Sequence, residues 1–380
     1  MNGHKDRRVA HASSVLSLAL LVLAFGTGCE SDTRRPPAAS ALPTYRGVGD
    51  ASAAAGLDST TFVVADDEHN SLRLYRLDQA SDPMASVNLV AFLKPDPEDS
   101  EADIEAAARL GSRIYWITSH DTNKRGVTKA NRDYFFATEA RQVDGCWTLE
   151  PAGTASRSIV QALMDTPVFQ ESLRTASSGK SSPQRKDQAT GLGLKIEGMC
   201  AAPDGKRLLI GFRQPRLKRS PEDAAHAMVI FLENPEEVVN EGAEPRFGPL
   251  LLWDLDNLAI RGMEYSPAHQ TVLVVAGPEK DGPHFSLYRW DGDPAGQPTW
   301  IHTITTGPDQ LTPESLVTFP GQDRVLIISD DGDLIVPMER TGQGDSGSGE
   351  HMRNKEISDP AFRRFRTLWI DVQGQSPPTS

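Results

Sequence analysis

Residues 196–212 hold the feature that most constrains the fold. Glu197 opens an apolar run, Pro203-Asp204-Gly205 supplies a tight turn, and a second apolar run fills 208–212. Pro, Asp and Gly each suit turns for separate physical reasons, so the pattern predicts strand, turn, strand. Weaker copies recur on both sides, aligning Ala51, Glu105, Glu197, Arg261 and Glu314 at steps of 54, 92, 64 and 53 residues. Each opening leads into further β-periodic runs, for example 61–65, 72–75 and 87–92 in the first copy and 272–276, 285–288 and 300–304 in the fourth. In the last copy the runs are 325–328, 334–336 and, after an interruption, 367–372. Four short strands per copy at the smaller steps match the blades of a β-propeller. The expectation is an all-β chain, a single β-propeller over residues 45–373 with five four-stranded blades. Six blades is the alternative, the long step then holding a degenerate one.

The step of 92 residues is accounted for by an insertion at 158–190. Ile159, Leu163, Val168, Phe169 and Leu173 are spaced as on a short helix broken at Pro167, and 177–190 is rich in Ser, Lys and Gly, as exposed loops are. Residues 342–349 read as a second, disordered loop. With aromatics at 7%, 31 Gly and 27 Pro, the chain suits many short strands and tight turns better than long helices.

Lys5, Arg7 and Arg8 precede an apolar run at 15–25, and Gly26-Thr27-Gly28 then leads to Cys29. That is the layout of a secretory signal peptide over 1–28, and the run is too short to span a bilayer. The cysteine directly after small residues resembles a bacterial lipoprotein signal, with Cys29 as the lipidated first residue and an ordinary signal peptide as the alternative. Residues 29–44, polar and rich in Pro and Ala, read as a tether, and 374–380 as a tail. The expected place is the cell envelope, exported and membrane-anchored through the lipid, with Glu30 favouring the outer membrane. An exported compartment also permits a disulfide between Cys146 and Cys200, whose proximity the sequence leaves open. The formal charge is −13, and the leader is positive, so the body is more acidic still. Binding nucleic acid through phosphate contacts is excluded on that ground.

Several stretches together resemble the bacterial domain-of-unknown-function 3616 family. They are Gly49-Asp50-Ala51-Ser52, 62–68, 114–120, Ile196-Glu197-Gly198 with Gly211-Phe212-Arg213, Pro245-Arg246-Phe247-Gly248 and 287–292. The resemblance runs from about Tyr45 to the C-terminus. It implies a propeller-like body and assigns neither a reaction nor a catalytic residue.

In a propeller blade the innermost strand runs along the channel and the next returns antiparallel, so the start of one and the end of the other share a mouth. The starts carry Asp50, Glu105, Glu197, Arg261 and Glu314, with Glu264 slightly further in. The returning ends carry Asp66, Asp67 and Glu68, then His120, Arg213 and Glu279, and finally Asp330, Asp331 and Asp333. Clustered carboxylates repel by on the order of 1 kcal/mol per pair, and two arginines are too few to neutralise them. A hard divalent ion, Ca²⁺ or Mg²⁺, is the expected counter-charge, with Asp66, Asp67, Glu105, Glu197, Glu264, Glu314, Asp330 and Asp331 as candidate ligands. Alternatively, the glutamates accept backbone N–H bonds and keep the ring in register, and the Asp-rich ends only form turns.

The function expected from this mouth is binding of a small or phosphorylated ligand through the ion. A metal-dependent phosphoesterase of phytase-like type, with Arg213 and His120 as helpers, follows by fold analogy. A non-enzymatic scaffold that binds another envelope protein is the rival of a different class. Asp330-Asp331-Gly332-Asp333 lacks the remaining ligands of an EF-hand. Ser119 and His120 face opposite sides of a strand, and no G-x-S-x-G elbow is present, so a serine hydrolase has no support.

Overall fold

The strand nearest the axis in the first blade, Ala51–Gly56, is almost all alanine, and the reason is steric. Strands that meet around a narrow axis leave little room between neighbours: a Cβ on Gly262 would lie 2.5 Å from the Glu314 carbonyl oxygen of the adjoining blade. The second strand of each blade is packed on both faces and is correspondingly a continuous apolar run, as in Thr271–Gly277, where every residue is buried.

The computed structural model describes residues 42–66, 68–79, 82–97, 101–121, 129–167, 169–170, 194–218, 222–280, 282–306, 310–337 and 351–373. After β1 (Thr44–Arg46), blade 1 comprises β2 (Ala51–Gly56), β3 (Thr61–Asp66), β4 (Ser71–Arg76) and β5 (Ala85–Asn88). Blade 2 is β6 (Ile104–Leu110), β7 (Arg113–Thr118), β8 (Phe135–Val143) and β9 (Cys146–Ser156). Blade 3 is β10 (Lys195–Ala201), β11 (Leu208–Leu217), β12 (His226–Leu232) and β13 (Phe247–Trp253). Blade 4 is β14 (Ala259–Ser266), β15 (Thr271–Gly277), β16 (Phe285–Trp290) and β17 (Thr299–Ile304). Blade 5 starts with β18 (Pro313–Thr318) and β19 (Arg324–Ser329). Each inner strand touches the next, β2 to β6 to β10 to β14 to β18 and back to β2, so the five blades close a ring. The protein is a five-bladed β-propeller, and no sixth blade forms among the described residues.

Blade 5 departs from the sequence expectation. The sequence expectation puts the third strand at 334–336, but β20 (Ile335–Pro337) pairs instead with β21 (His351–Arg353) as a separate hairpin. The third strand is β22 (Arg364–Asp371), and the fourth is β1 from the other end of the domain, with Thr44 opposite Arg366 and Tyr45 opposite Phe365. The folded body also begins earlier than Tyr45, since Thr367 N–H bonds to the Pro43 carbonyl at 3.0 Å.

The insertion after β9 begins with a helix, Ile159–Asp165, whose Ile159 and Leu163 are buried against blades 2 and 3. Pro167 opens a further helical turn rather than ending the segment, and Phe169 there packs against Phe212 at 5.6 Å. A helix at Pro235–Glu241, absent from the sequence reading, buries Val238 and Val239. The leader, Cys29, most of the tether, 177–190, 342–349 and the tail lie outside the described residues.

Candidate functional site

A one-residue slip in strand pairing recurs at the same place in every blade. Ala51 pairs with Asp66 but Ala53 with Ala65, which leaves Ser52 as the extra residue. The same slip leaves out Glu105, Glu197, Arg261 and Glu314. A β-bulge re-aims the side chain of its extra residue, and here it delivers one buried polar group per blade to the channel. Blade 1 contributes Ser52, one position beyond the Ala51 that sequence alignment indicates.

Cations answer these carboxylates. Lys195 Nζ lies 2.6 Å from Glu197 Oε1 and 3.3 Å from Glu105 Oε1. Arg213 Nη1 is 2.7 Å from Glu197 Oε1, and Arg261 Nε is 3.1 Å from Glu197 Oε2 while its Nη2 pairs with Glu314. Glu105, Lys195, Glu197, Arg261 and Glu314 therefore form one chain of ion pairs across blades 2 to 5. Arg213 is steadied at the rim by a 3.0 Å bond from Nε to the Glu279 carbonyl.

Burial works to raise the Glu197 carboxyl, but Arg261, Lys195 and Arg213 outweigh it and hold it down to about 2. For Glu105 burial prevails over Lys195 and pushes the carboxyl up to about 8. Burial works against the Lys195 ammonium, yet Glu105 and Glu197 raise it above the usual lysine value. Lys195, Arg213 and Arg261 thus stand against Glu105, Glu197 and Glu314, with burial drawing Glu105 towards its neutral form. The Lys195 and Arg213 side chains are 23% and 13% exposed, whereas Glu197 and Arg261 are closed off, so solvent meets the cluster on its positive side.

The remaining expected residues distribute differently. Asp331 is clasped by Arg366, with two side-chain bonds of 2.7 Å and one from its backbone N–H of 2.9 Å. Asp66 lies 3.1 Å from His69 Nδ1 and 3.9 Å from Arg363 Nη1. Asp330 accepts from Gly332 N–H at 2.8 Å and faces Asp50, whose carboxyl burial and the Asp330 charge push up to about 11. Asp50 thus keeps a proton between the two carboxyls, and Lys355 Nζ stands 3.8 Å away. Glu264 is not at this mouth; it lies three residues beyond Arg261 along β14, beside Thr318 near the opposite end of the channel. His120 is buried, its Nδ1 2.7 Å from the Thr118 carbonyl and its Nε2 without a partner, and burial lowers its pKa to about 4. Ser119 bonds to Asp103 rather than to His120. Asp67 lies outside the described residues.

Sequence reasoning missed Lys195. It stands two positions before Glu197 on the same strand, a spacing that signals a shared face. Its presence changes the charge count on which the divalent ion rested. Glu105, Glu197, Glu314 and Asp331 each already oppose an ammonium or guanidinium, and among the described residues no group of three or more His, Cys, Asp or Glu side chains is placed to hold a metal. The described residues do not fit Ca²⁺ or Mg²⁺. Cys146 is exposed on the outermost strand of its blade, Cys200 is buried on an innermost one, and both are free thiols.

Fold and site together define a five-bladed β-propeller with a buried ion-pair network at one mouth of its channel. Among solved structures the chain is similar to glutaminyl cyclase from Myxococcus xanthus, with 13% identity, 87% of this chain and 94% of that chain covered and a TM-score of 0.38. It is also similar to a luciferin-regenerating enzyme, with 8% identity, coverage of 87% and 95% and a TM-score of 0.36. A third is the β-propeller domain of Cps50 (Swd1) from Myceliophteria thermophila, with 8% identity, coverage of 86% and 97% and a TM-score of 0.33. No protein-family profile and no curated protein matches the sequence.

Proposed function

We propose that the protein is an exported, lipid-anchored binding protein of the bacterial cell envelope whose charged mouth takes a small oxyanion, phosphate- or carboxylate-bearing, directly on Lys195 and Arg213. The observation that carries this reading is the convergence of three cations on the single carboxylate of Glu197, with two of them reaching solvent. Taking charges out of water can cost more than their pairing returns, and perturbed ionisable groups gathered in a cleft are candidates for a binding role. Binding of the anion without a metal follows from the pairing of the expected ligands with cations. The anchor at Cys29 rests on the lipoprotein-type leader, and replacing that residue by Ser is expected to move the protein from the membrane fraction to the soluble one on cell fractionation.

Thermal shift of the full chain with inorganic phosphate, glycerol 3-phosphate and citrate at constant ionic strength tests the mouth. At about 100 times its Kd a ligand stabilises the native state by about 2.7 kcal/mol. At least one of these anions is expected to raise Tm with EDTA present, and Lys195→Gln to weaken that anion by about tenfold, or about 1.4 kcal/mol. An anion response that requires Ca²⁺ or Mg²⁺, or that K195Q leaves unchanged, sinks the reading.

A further inference from the structure

At the other end of the channel the inner strands finish around a cavity of about 540 Å³, within the range of roughly 300–1,000 Å³ typical of small-ligand sites. Leu57, Tyr265, Pro267, Phe319 and Pro320 give it apolar walls, and Glu264, Arg109 and Thr318 line it as well. We propose that this cavity binds a small monocarboxylate with an apolar body, its carboxylate received by Arg109 and by the acid group of Glu264.

The polar groups dictate that class. Arg109 Nη1 donates to the Gly56 and Leu57 carbonyls at 2.7 and 2.6 Å, and Nε to the Gly111 carbonyl at 2.8 Å. Carbonyl oxygens fix the guanidinium in place without contributing a full counter-charge, and the Asp58 carboxylate acts on it electrostatically. Glu264 accepts from Thr318, from Oγ1 at 3.3 Å and from the backbone N–H, and burial pushes its carboxyl up to about 8. Near neutral pH it carries a proton and acts as a donor. A fixed cation and a donating acid side by side call for an acceptor that is negative. Ser266, another hydroxyl at the wall beside those of Thr318 and Tyr265, is already engaged with His269 Nδ1 at 2.8 Å.

The groups that face Glu264 are Arg109 from β6, Cys200 from β10 and Thr318 from β18, with Asp58 beyond Arg109 and His269 beyond Ser266 on its own side. As pH rises through the Glu264 value the donor becomes a second negative charge, so carboxylate affinity falls. An amine would show the reverse.

Calorimetric titration of the full chain with benzoate and octanoate, against benzylamine and benzyl alcohol, tests this at pH 6.5, 8 and 9.5. Both carboxylates are expected to bind more tightly than the amine and the alcohol, with affinity lower by roughly tenfold or more at pH 9.5 than at 6.5. E264Q, which keeps a donor but cannot ionise, is expected to bind at all three values alike, and Ala268→Trp to abolish binding by filling the space. K195Q is expected to leave benzoate binding intact, which separates this cavity from the charged mouth. Tighter binding of the amine, a pH dependence that survives in E264Q, benzoate binding unchanged in A268W, or no carboxylate binding at millimolar concentration overturns the proposal.

Discussion

His120 shows how burial converts a titratable group into a pH-dependent element of stability. Its φ of 55° places it in the left-handed region, and its imidazole is held neutral because burial disfavours the cation, down to about 4 from an ordinary 6.5. Between those values the unfolded chain binds a proton that the folded chain refuses, so stability falls as pH falls from 6.5 towards 4. Glu105 and Glu264 act in the opposite sense: raised from 4.5 to about 8, they keep protons that the unfolded chain loses, and stability declines as pH rises across that window. Replacing His120 by Asn puts an amide N–H in place of the imidazole N–H and keeps a residue tolerant of left-handed backbone. H120N is therefore expected to lose less stability than the wild type between pH 6.5 and 4, by up to about 3 kcal/mol in denaturant unfolding. Parallel pH profiles for the two proteins would show that another group is responsible.

At the scale of strands, what was legible depended on whether a signal is local. The apolar runs that form the inner two strands of every blade read directly as β, since both faces of a middle strand are buried and the run is uninterrupted. Glu105, Glu197, Arg261 and Glu314 aligned because a bulge demands one extra residue at a fixed place, and that periodic demand survives in sequence. In blade 1 the aligned Ala51 falls one residue short of the bulge at Ser52, because both sit in a run of small side chains with nothing to distinguish the register. Depth was not legible: the spacing between Arg261 and Glu264 says they share a strand, not that three residues, at about 3.3 Å each, carry the second towards the opposite end of the channel. The Lys195 pairing was local enough to find, whereas the blade pattern puts Asp50 and Asp330 at a common mouth but carries no signal for their direct contact.

The ring as a whole is closed by a strand from the far end of the domain, and this long-range joint was the least visible feature of all. Pairing of β1 with β22 makes blade 5 depend on both ends of the domain, so unfolding of either end exposes the edge of the other. Tyr45 is the pin. Its ring lies 5.3 Å from Phe62, 5.5 Å from Tyr75 and 5.3 Å, stacked, from Phe365, joining blade 1 to blade 5, and Tyr75 Oη donates to the Arg46 carbonyl at 2.7 Å. Asn354 secures the same seam, with Nδ2 donating to the Gly49 and Asp331 carbonyls at 3.1 and 3.0 Å. Removing an aromatic side chain from such a site costs about 3–5 kcal/mol. Tyr45→Ala is expected to destabilise the protein by that amount in chemical denaturation and to match Phe365→Ala, since both delete the same contact. Val87→Ala, at a half-buried position on the otherwise exposed outer strand of blade 1, is the control, expected to cost about 1 kcal/mol. If Tyr45→Ala costs no more than that control, the β1 strand is an ornament on a ring that closes without it, and the joint must be sought among the inner strands instead.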